Sequence, residues 1–599
     1  MPRPVLVAGF ALAVSGFTAL GYEVLWTRAL EFYTHNSTYA YSAMLAVFLL
    51  GIGLGSGLVA RWSDRLREPL LTLAVLEIAI GVTVTAGLLL YSRYDILIPK
   101  MAAALGGLDS WGNVILLIFS EAGLVLLATT LLFGATFPVG ASVVVQSLGT
   151  VGQRIGGLYT ANTVGSIVGS LVAGFLLLPL LGMRTAFLVL ALVNVLLGVG
   201  LALGTSAGRR GRIVAAGGVA VAVAMFVVVP PTLFQDSYAR RFGPLLFYHE
   251  QVTDTVMVTE DDKGERMIRF GDGRGTAGTL SVREDRMYAH VPMLLHPNPR
   301  RILSICFGVG NSLAALTRYD VDHVDAVELS PGVVAAAPFF ESTNRNVLSD
   351  PRVTLTIADG RNYLLTTDDL YDVIRLDPPE LHTAGVVNLY TREFLEQSRD
   401  HLAPGGIFSI WVNIVMTPDE DMRLLVRTIA SVFPHVSIWH GPYHYSWVIN
   451  GSMESHAPDL VRLMERFAMP EPRVDLESIG VRDPFEFLFH FVMMGEDVQR
   501  FAGTGPIVTD DHTRLDFTVA RSIDSSFGFA NANTAGWLTE FMPGEHGQAG
   551  IGTFFRKVAH FDTFKRPVLP HLLNVDAAGF DAQTVQARIA AAGPRPADD

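Results

Sequence analysis

The sequence predicts a multi-pass α-helical membrane domain followed by a doubly wound, Rossmann-like α/β domain that opens with a small β-hairpin subdomain. Three observations carry that prediction. Apolar runs long enough to cross a bilayer fill the chain up to about residue 235. Strand and helix patterns alternate from residue 300 onward. The first strand of that alternation, "RILSICFGVGNS", runs into a glycine turn, and Glu328, an acid at the tip of the next strand, lies 18 residues beyond Gly310.

Composition bounds the function. At 599 residues, 50% hydrophobic and with a mean hydropathy of +0.37, the chain is too long for one core and too apolar for a soluble protein. Residues 1–235 carry 12 Lys/Arg against 8 Asp/Glu and the remainder 32 against 49, so the net charge of −13 belongs to the second half. An acidic soluble half argues against nucleic acid as a partner and suits a cationic substrate. The single cysteine, Cys306, excludes an intrachain disulfide and a cysteine-rich metal site.

In the membrane domain, residues 1–235, seven apolar runs are expected to span the lipid bilayer, near 5–30, 39–60, 70–92, 113–135, 155–181, 185–205 and 212–233. The first is too long for a cleaved signal peptide and has no small-residue cleavage pattern. "YDILIPKMAAALG", from residue 94, suits an interfacial helix. Gly51, Gly53, Gly55 and Gly57 in the second run, and Gly165, Gly169, Ser170 and Gly174 in the fifth, recur at spacings that let helix backbones approach. Glu23, Arg28, Glu77 and Glu121 lie in or near the spans, where charge is costly and by default marks function; an internal ion pair or end-of-helix snorkelling is the plainer reading for Arg28. Loop arginines put the N-terminus in the cytosol of a cell-membrane protein. Seven crossings then put the soluble half outside.

The soluble half begins with hairpin character over 244–296, in "LLFYHEQVTDTVMVTEDD" and "ERMIRFGDGRG", before the short amphipathic helix "DRMYAHVPMLL". The α/β domain is expected over 297–521, with a C-terminal extension over 522–599 whose tail is flexible from about 576. Gly308 and Gly310 let the chain turn tightly beside a ligand, and Glu328 is placed to accept hydrogen bonds from ribose hydroxyls. Leu313 replaces the third glycine of a dinucleotide fingerprint, which favours a nucleoside sulfonium over a pyrophosphate. Asp359, in "IADGRNY", faces either an adenine amine or the N-terminus of its own helix, as a cap. Asp377 ends the buried strand "YDVIRLDP" ahead of two prolines, a position for a general base. Glu380 is placed to hold a cationic amine, and "HTAGVVNLYTREF" to cover the pocket as a lid. "TDDHTRLDF" suits a polar turn before a strand "LDFTVA" better than a metal site.

"ILSICFGVGNS", "VDAVELSP", "DPRVTLTIADGRNYL", "YDVIRLDP" and "NLYTREFLEQSRDHLAPGGIF", led by "HPNPRRIL", together resemble the spermidine synthase (polyamine aminopropyltransferase) family, whose domain is of the S-adenosylmethionine-dependent transferase type. "SGFTALGYEVLWTRAL" and "LYTANTVGSIVGSLVAGFLLLPLLG" resemble the branch of that family fused to a membrane domain distantly similar to part of a major facilitator transporter. The resemblance implies transfer of an aminopropyl group from decarboxylated S-adenosylmethionine to putrescine, and a homodimer. It implies donor binding at Gly308, Gly310, Glu328, Asp359 and Gly360, catalysis by Asp377, and substrate contacts at Glu380, Tyr390 and His290. Departures concentrate on the amine side. Val309 stands where the family carries an acid for the donor's free amine, Asp254-Thr255 replaces a Tyr-Gln pair, and Tyr288-Ala289-His290 replaces Tyr-His-Glu.

The expected reaction is one in-line displacement on a sulfonium, which is already a good leaving group and calls for no metal; the enzyme supplies orientation and a base. Two other readings stay open. One is methyl transfer from ordinary S-adenosylmethionine on the same fold, consistent with Val309. The other is a transporter whose soluble half senses a nucleoside or polyamine without turnover.

Overall fold

The structure, a computed structural model, describes residues 3–63, 65–108, 110–144, 151–413, 417–442, 446–488 and 490–519; the expected C-terminal extension lies outside them. The described residues form two compact units, residues 3–255 with 271–273, and residues 256–270 with 274–519.

The first unit is helical: α1 (Arg3–Thr34), α2 (Thr38–Ser63), α3 (Pro69–Tyr91), α4 (Tyr94–Ala104), α5 (Trp111–Val144), α6 (Val151–Val172), α7 (Leu178–Leu181), α8 (Met183–Gly204), α9 (Arg209–Val228) and α10 (Leu233–Phe242), followed by strand β1 (Leu245–Glu250). Among the described residues, seven helical stretches, one for each apolar run of the sequence, are long and apolar enough to cross a membrane. A π-helical turn, Ala173–Leu177, joins α6 to α7 just ahead of Pro179, whose ring and missing N–H disturb the α-helical ladder one turn back.

Only part of the glycine pattern makes helix contacts. A Cβ on Gly51 would lie 1.8 Å from Thr130 Oγ1 and one on Gly55 2.0 Å from the Leu131 carbonyl, so α2 meets α5 backbone to backbone through an i, i+4 pair. Gly53 and Gly57 have nothing within 4 Å of the same position and lie on the other face. Gly165 and Gly169 of α6 approach the Ala13 and Phe17 carbonyls of α1 in the same way, each at 1.9 Å. Arg28 donates to the Thr253 carbonyl at 2.7 Å and the Gln251 carbonyl at 3.3 Å, so its charge serves the chain beyond β1.

In the second unit β2 (Thr255–Glu260), β3 (Arg266–Phe270) and β4 (Gly275–Gly278) pair antiparallel in sequence order. Helix α11 (Val282–Leu295) leads into an eight-stranded sheet. Its strands are β5 (Arg301–Ile305), β6 (His323–Glu328), β7 (Val353–Ile357), β8 (Tyr371–Leu376), β9 (Leu402–Asn413), β10 (His435–His440), β11 (Ser446–Ser452) and β12 (Phe491–Met494), in the order β12-β10-β11-β9-β8-β5-β6-β7. Strands β5 to β9 run parallel, and β9-β11-β10-β12 continue antiparallel. The winding reverses between β5 and β8, a switch point that opens a crevice at the carboxyl ends of the strands.

Two sequence expectations change here. "LAPGG" does not extend the preceding helix: helix ends at Asp400 and β9 begins at Leu402, because Pro404 lacks an N–H and Gly405 sits at φ +75°. Residues 515–519, expected as a strand, are helical. Asp510 in the turn before them pairs with Arg361 at 2.5 Å.

Candidate active site

The crevice is built from four strand ends. After β5 the chain turns through Cys306 at φ +71°, Gly308 at +58° and Gly310 at +86°. Left-handed backbone at a non-glycine residue costs of order 1 kcal/mol or more and persists where surroundings enforce it. Here the Cys306 N–H donates to the Val327 carbonyl at 2.9 Å and Asn344 donates to the Val309 carbonyl at 2.8 Å. A Cβ on Gly308 would meet nothing within 4 Å, so the turn presents bare backbone to open space. Burial pushes the Cys306 thiol up, reinforced by Glu328 and Asp377 nearby, so it stays a thiol rather than a nucleophilic thiolate.

Glu328, the last residue of β6, locks that turn. Its Oε2 accepts the Phe307 N–H at 2.8 Å and its Oε1 the Ser330 N–H at 2.9 Å, with 8% of the residue exposed. Asp359 follows β7 and caps α13 (Gly360–Thr366), its Oδ1 accepting from the Asn362 N–H at 2.8 Å. The cap role weighed from sequence is thus occupied by one oxygen. Gly360 is needed for packing, because a Cβ there would sit 2.4 Å from Ile305 Cγ2.

Asp377 follows β8. Its Oδ2 takes a 2.6 Å hydrogen bond from the Arg375 guanidinium, which is 1% exposed and reaches Ser304 Oγ at 3.3 Å. Residues two apart on a strand share a face, which is why Arg375 lies under Asp377. Glu380 faces Arg274 at 3.5 Å, and Arg274 also contacts Thr383 Oγ1 and lies 3.5 Å from His382 Nε2. Tyr390 is buried and donates its hydroxyl to the Trp411 carbonyl at 2.9 Å.

His290 is elsewhere. Fully buried in α11, it meets Tyr319 Oη through Nδ1 at 2.8 Å and Asp475 through Nε2 at 3.0 Å. Burial would raise Asp475, but the His290 bond, with Arg286 and Arg345 close by, draws it down to about 2. Both ring nitrogens of His290 are engaged in this buried cluster, which is separate from the Arg375–Asp377 and Arg274–Glu380 pairs.

One further acid belongs to the site. Asp285, on α11, accepts at Oδ2 from Ser281 Oγ at 2.7 Å and from Asn311 Nδ2 at 2.9 Å; Asn311 is the first residue of α12 (Asn311–Leu316), directly after the glycine turn. Burial raises Asp285 well above the ordinary carboxylate range, and the charge of Asp377 adds to the shift. In the sequence Asp285 reads as one of several charges in "VREDR", a helix surface. Arg375 did carry a signal: it is a lone cation inside an apolar parallel strand.

The sheet and its switch point define a Rossmann-like α/β domain of the transferase type, with acids at its strand tips. Residues 281–461 match the spermine/spermidine synthase domain family. Polyamine aminopropyltransferase 2 of Streptomyces coelicolor is 30% identical over 430 residues, covering 68% of this chain and 73% of that protein. The polyamine aminopropyltransferase of Oceanobacillus iheyensis is 24% identical over 434 residues, covering 68% and 78%. The crystal structure of spermidine synthase from Thermotoga maritima aligns at TM-score 0.37 and 22% identity, covering 44% of this chain and 89% of that one. The chain belongs to the polyamine aminopropyltransferase family and is a transferase enzyme of that kind.

Proposed function

We propose that the protein is a membrane-anchored aminopropyltransferase, carrying the aminopropyl group of decarboxylated S-adenosylmethionine to putrescine or a related amine and releasing methylthioadenosine. The domain division that goes with this reading is a membrane anchor over 1–235, a small β subdomain over 244–296 and a catalytic domain over 297–521.

The observation that carries it is Asp377. Asp377 follows β8 at the switch point with its Oδ2 held by Arg375, which supports a reading in which Oδ1 would serve as the base. The amine nitrogen attacks the propyl carbon next to the sulfonium, and the carbon–sulfur bond breaks with its electron pair going to sulfur. The proton lost by the amine passes to Asp377. Glu328 would bind the ribose, the second oxygen of Asp359 the adenine amine, and the bare backbone of Gly308 would let the nucleoside lie close. Asp285 would take the role of the acid missing at Val309, its carboxyl giving up a proton to meet the donor's ammonium. Val309, 2% exposed, is the observation that favours methyl transfer instead.

The test is a product assay on the full chain in lipid nanodiscs, offering decarboxylated or ordinary S-adenosylmethionine with a panel of mono-, di- and polyamines, the nucleoside product being read by mass spectrometry. Methylthioadenosine is expected, with kcat about 10²–10⁴-fold lower in Asp377→Asn and the donor KM within a few-fold. S-adenosylhomocysteine would replace this reading with methyl transfer. No product from either donor would overturn it.

A further inference from the structure

The helical unit buries a carboxyl whose hydrogen-bonding is incomplete. Glu77 lies nine residues into α3 (Pro69–Tyr91), about 12 Å along its axis. It is fully buried, as are Thr18 of α1 and Asn194 of α8, and Tyr22 of α1 is 1% exposed. Asn194 Nδ2 donates to Glu77 Oε2 at 2.7 Å and to Thr18 Oγ1 at 2.9 Å, while Tyr22 Oη donates to Asn194 Oδ1 at 3.2 Å. The Thr18 hydroxyl is spent on its own helix, at 3.1 Å from the Ser15 carbonyl.

Beyond these groups, the Ser15 hydroxyl lies close to the Glu77 carboxyl and makes only a long 3.4 Å contact to Thr136 Oγ1, so it is a neutral donor within reach. Asn194 has two amide hydrogens and both are used; the hydroxyl hydrogens of Thr18 and Tyr22 are used as well. Glu77 Oε1 has no hydrogen-bond partner among the described residues. Nor does Glu77 have an ion-pair partner there: α1 brings Ser15, Thr18 and Tyr22 to this cluster and α8 brings Asn194, with Thr136 of α5 bonded to Ser15, and none of these is a cation. An ionised carboxylate inside a membrane-spanning bundle, served by neutral donors and no counter-charge, is strongly disfavoured. The charge that balances it has to come from outside the side chains.

We propose that Glu77, with Thr18, Tyr22 and Asn194, forms a binding site for a single monovalent cation, either a proton or an alkali ion, held at Glu77 Oε1 within the membrane half. Glu77, Thr18 and Tyr22 offer oxygens there, while Asn194 turns its amide nitrogen to Glu77 and Thr18 and so orients the carboxyl instead of ligating the ion. The membrane half is then a cation-loading element and not only an anchor, independently of which group the soluble half transfers.

The test is infrared difference spectroscopy of the full chain in lipid nanodiscs, wild type against Glu77→Gln, in sodium-free buffer from mildly acidic to alkaline pH and then with sodium added. The carbonyl band of a protonated acid, absent from Glu77→Gln, is expected at low pH. Its loss as pH rises identifies the proton as occupant, and its loss on adding sodium at fixed pH identifies the alkali ion. A band that persists unchanged across pH and sodium shows a permanently neutral, structural Glu77 and overturns the proposal, as does a carboxylate signal at low pH without sodium. If Glu77→Gln does not fold, the wild-type unfolding temperature above about pH 7.5, where His296 and His456 stay neutral, decides: it is expected to shift with pH or sodium concentration there, and indifference to both overturns the site.

Discussion

Glu328→Gln separates the two tasks given to that side chain. The carboxylate accepts two backbone N–H groups, from Phe307 at 2.8 Å and Ser330 at 2.9 Å, in a site where 8% of the residue is exposed. Hydrogen bonds to a charged group contribute about 1.5–3 kcal/mol each, and a buried donor left unsatisfied costs about 1–3 kcal/mol. Glutamine keeps one oxygen for one N–H but turns an NH₂ toward the other, so one bond is lost and two donors face each other. Removing a desolvated charge offsets part of that loss, giving a net destabilisation of about 2–4 kcal/mol. Loss of the proposed ribose contact would add an effect on binding: about 1.5–3 kcal/mol corresponds to a donor KM roughly 10- to 100-fold higher. Urea unfolding of the full chain in detergent, followed by tryptophan fluorescence, reads the first effect, and donor saturation kinetics reads the second. Unchanged stability would remove Glu328 as the latch of the turn. Unchanged KM with lowered stability would leave it a structural residue only.

Asp285→Asn is expected to raise the KM for decarboxylated donor about tenfold or more while changing kcat less than Asp377→Asn does; equal effects on both parameters would place Asp285 outside the amine-binding subsite. His296 and His456 are each 5% exposed, and burial holds both at about 4, below the ordinary 6.5. Their folded values lie below the unfolded one, so their stabilisation is full above about pH 6.5 and is lost progressively toward pH 4, by at most about 3 kcal/mol each. Urea midpoints measured at about pH 7 and pH 5 should show the fall, and a smaller fall in His456→Gln; equal wild-type midpoints would refute it. Reporter fusions after residues 66 and 599 should report opposite sides of the membrane if all seven apolar helices cross; the same side would mean that one of them does not.

Where periodicity and local chemistry set the structure, the sequence was legible. The seven apolar helices, β5 to β9 and the acids at their ends follow from patterns of 3.6 and 2 residues and from turns that need glycine. The antiparallel β10, β11 and β12 were not anticipated, because their pairing is set by the edge of a sheet that local patterns do not describe. The same limit applies to side chains brought together over long separations. Asp285 meets Asn311 across 26 positions, Arg274 meets Glu380 across a longer gap, and His290 finds Asp475 across 185. Such partners are chosen by tertiary packing. Spacing within a motif could place a carboxylate at a strand tip, but not the guanidinium that faces it.

Those guanidiniums change what the acids can do. A site that grips a diamine by two bare carboxylates would favour cations at both ends of the acceptor. Here Arg375 sits 2.6 Å from Asp377 and Arg274 3.5 Å from Glu380, both arginines being almost wholly buried. In the proposed reaction, a fixed positive charge beside Asp377 would disfavour an ammonium at the reacting end and so favour the neutral amine that can attack, with Asp377 as the proposed proton acceptor. At the far end the Arg274–Glu380 pair is close to neutral as a whole, so a second cation on the acceptor gains less there than from a bare carboxylate. The geometry therefore asks for one deprotonated amine nitrogen and imposes a weaker demand for a second charge. It follows that the amine panel should show a broader acceptor range than a two-carboxylate clamp allows, with monoamines among the substrates; strict dependence on a diamine would show that substrate displaces Arg274 from Glu380.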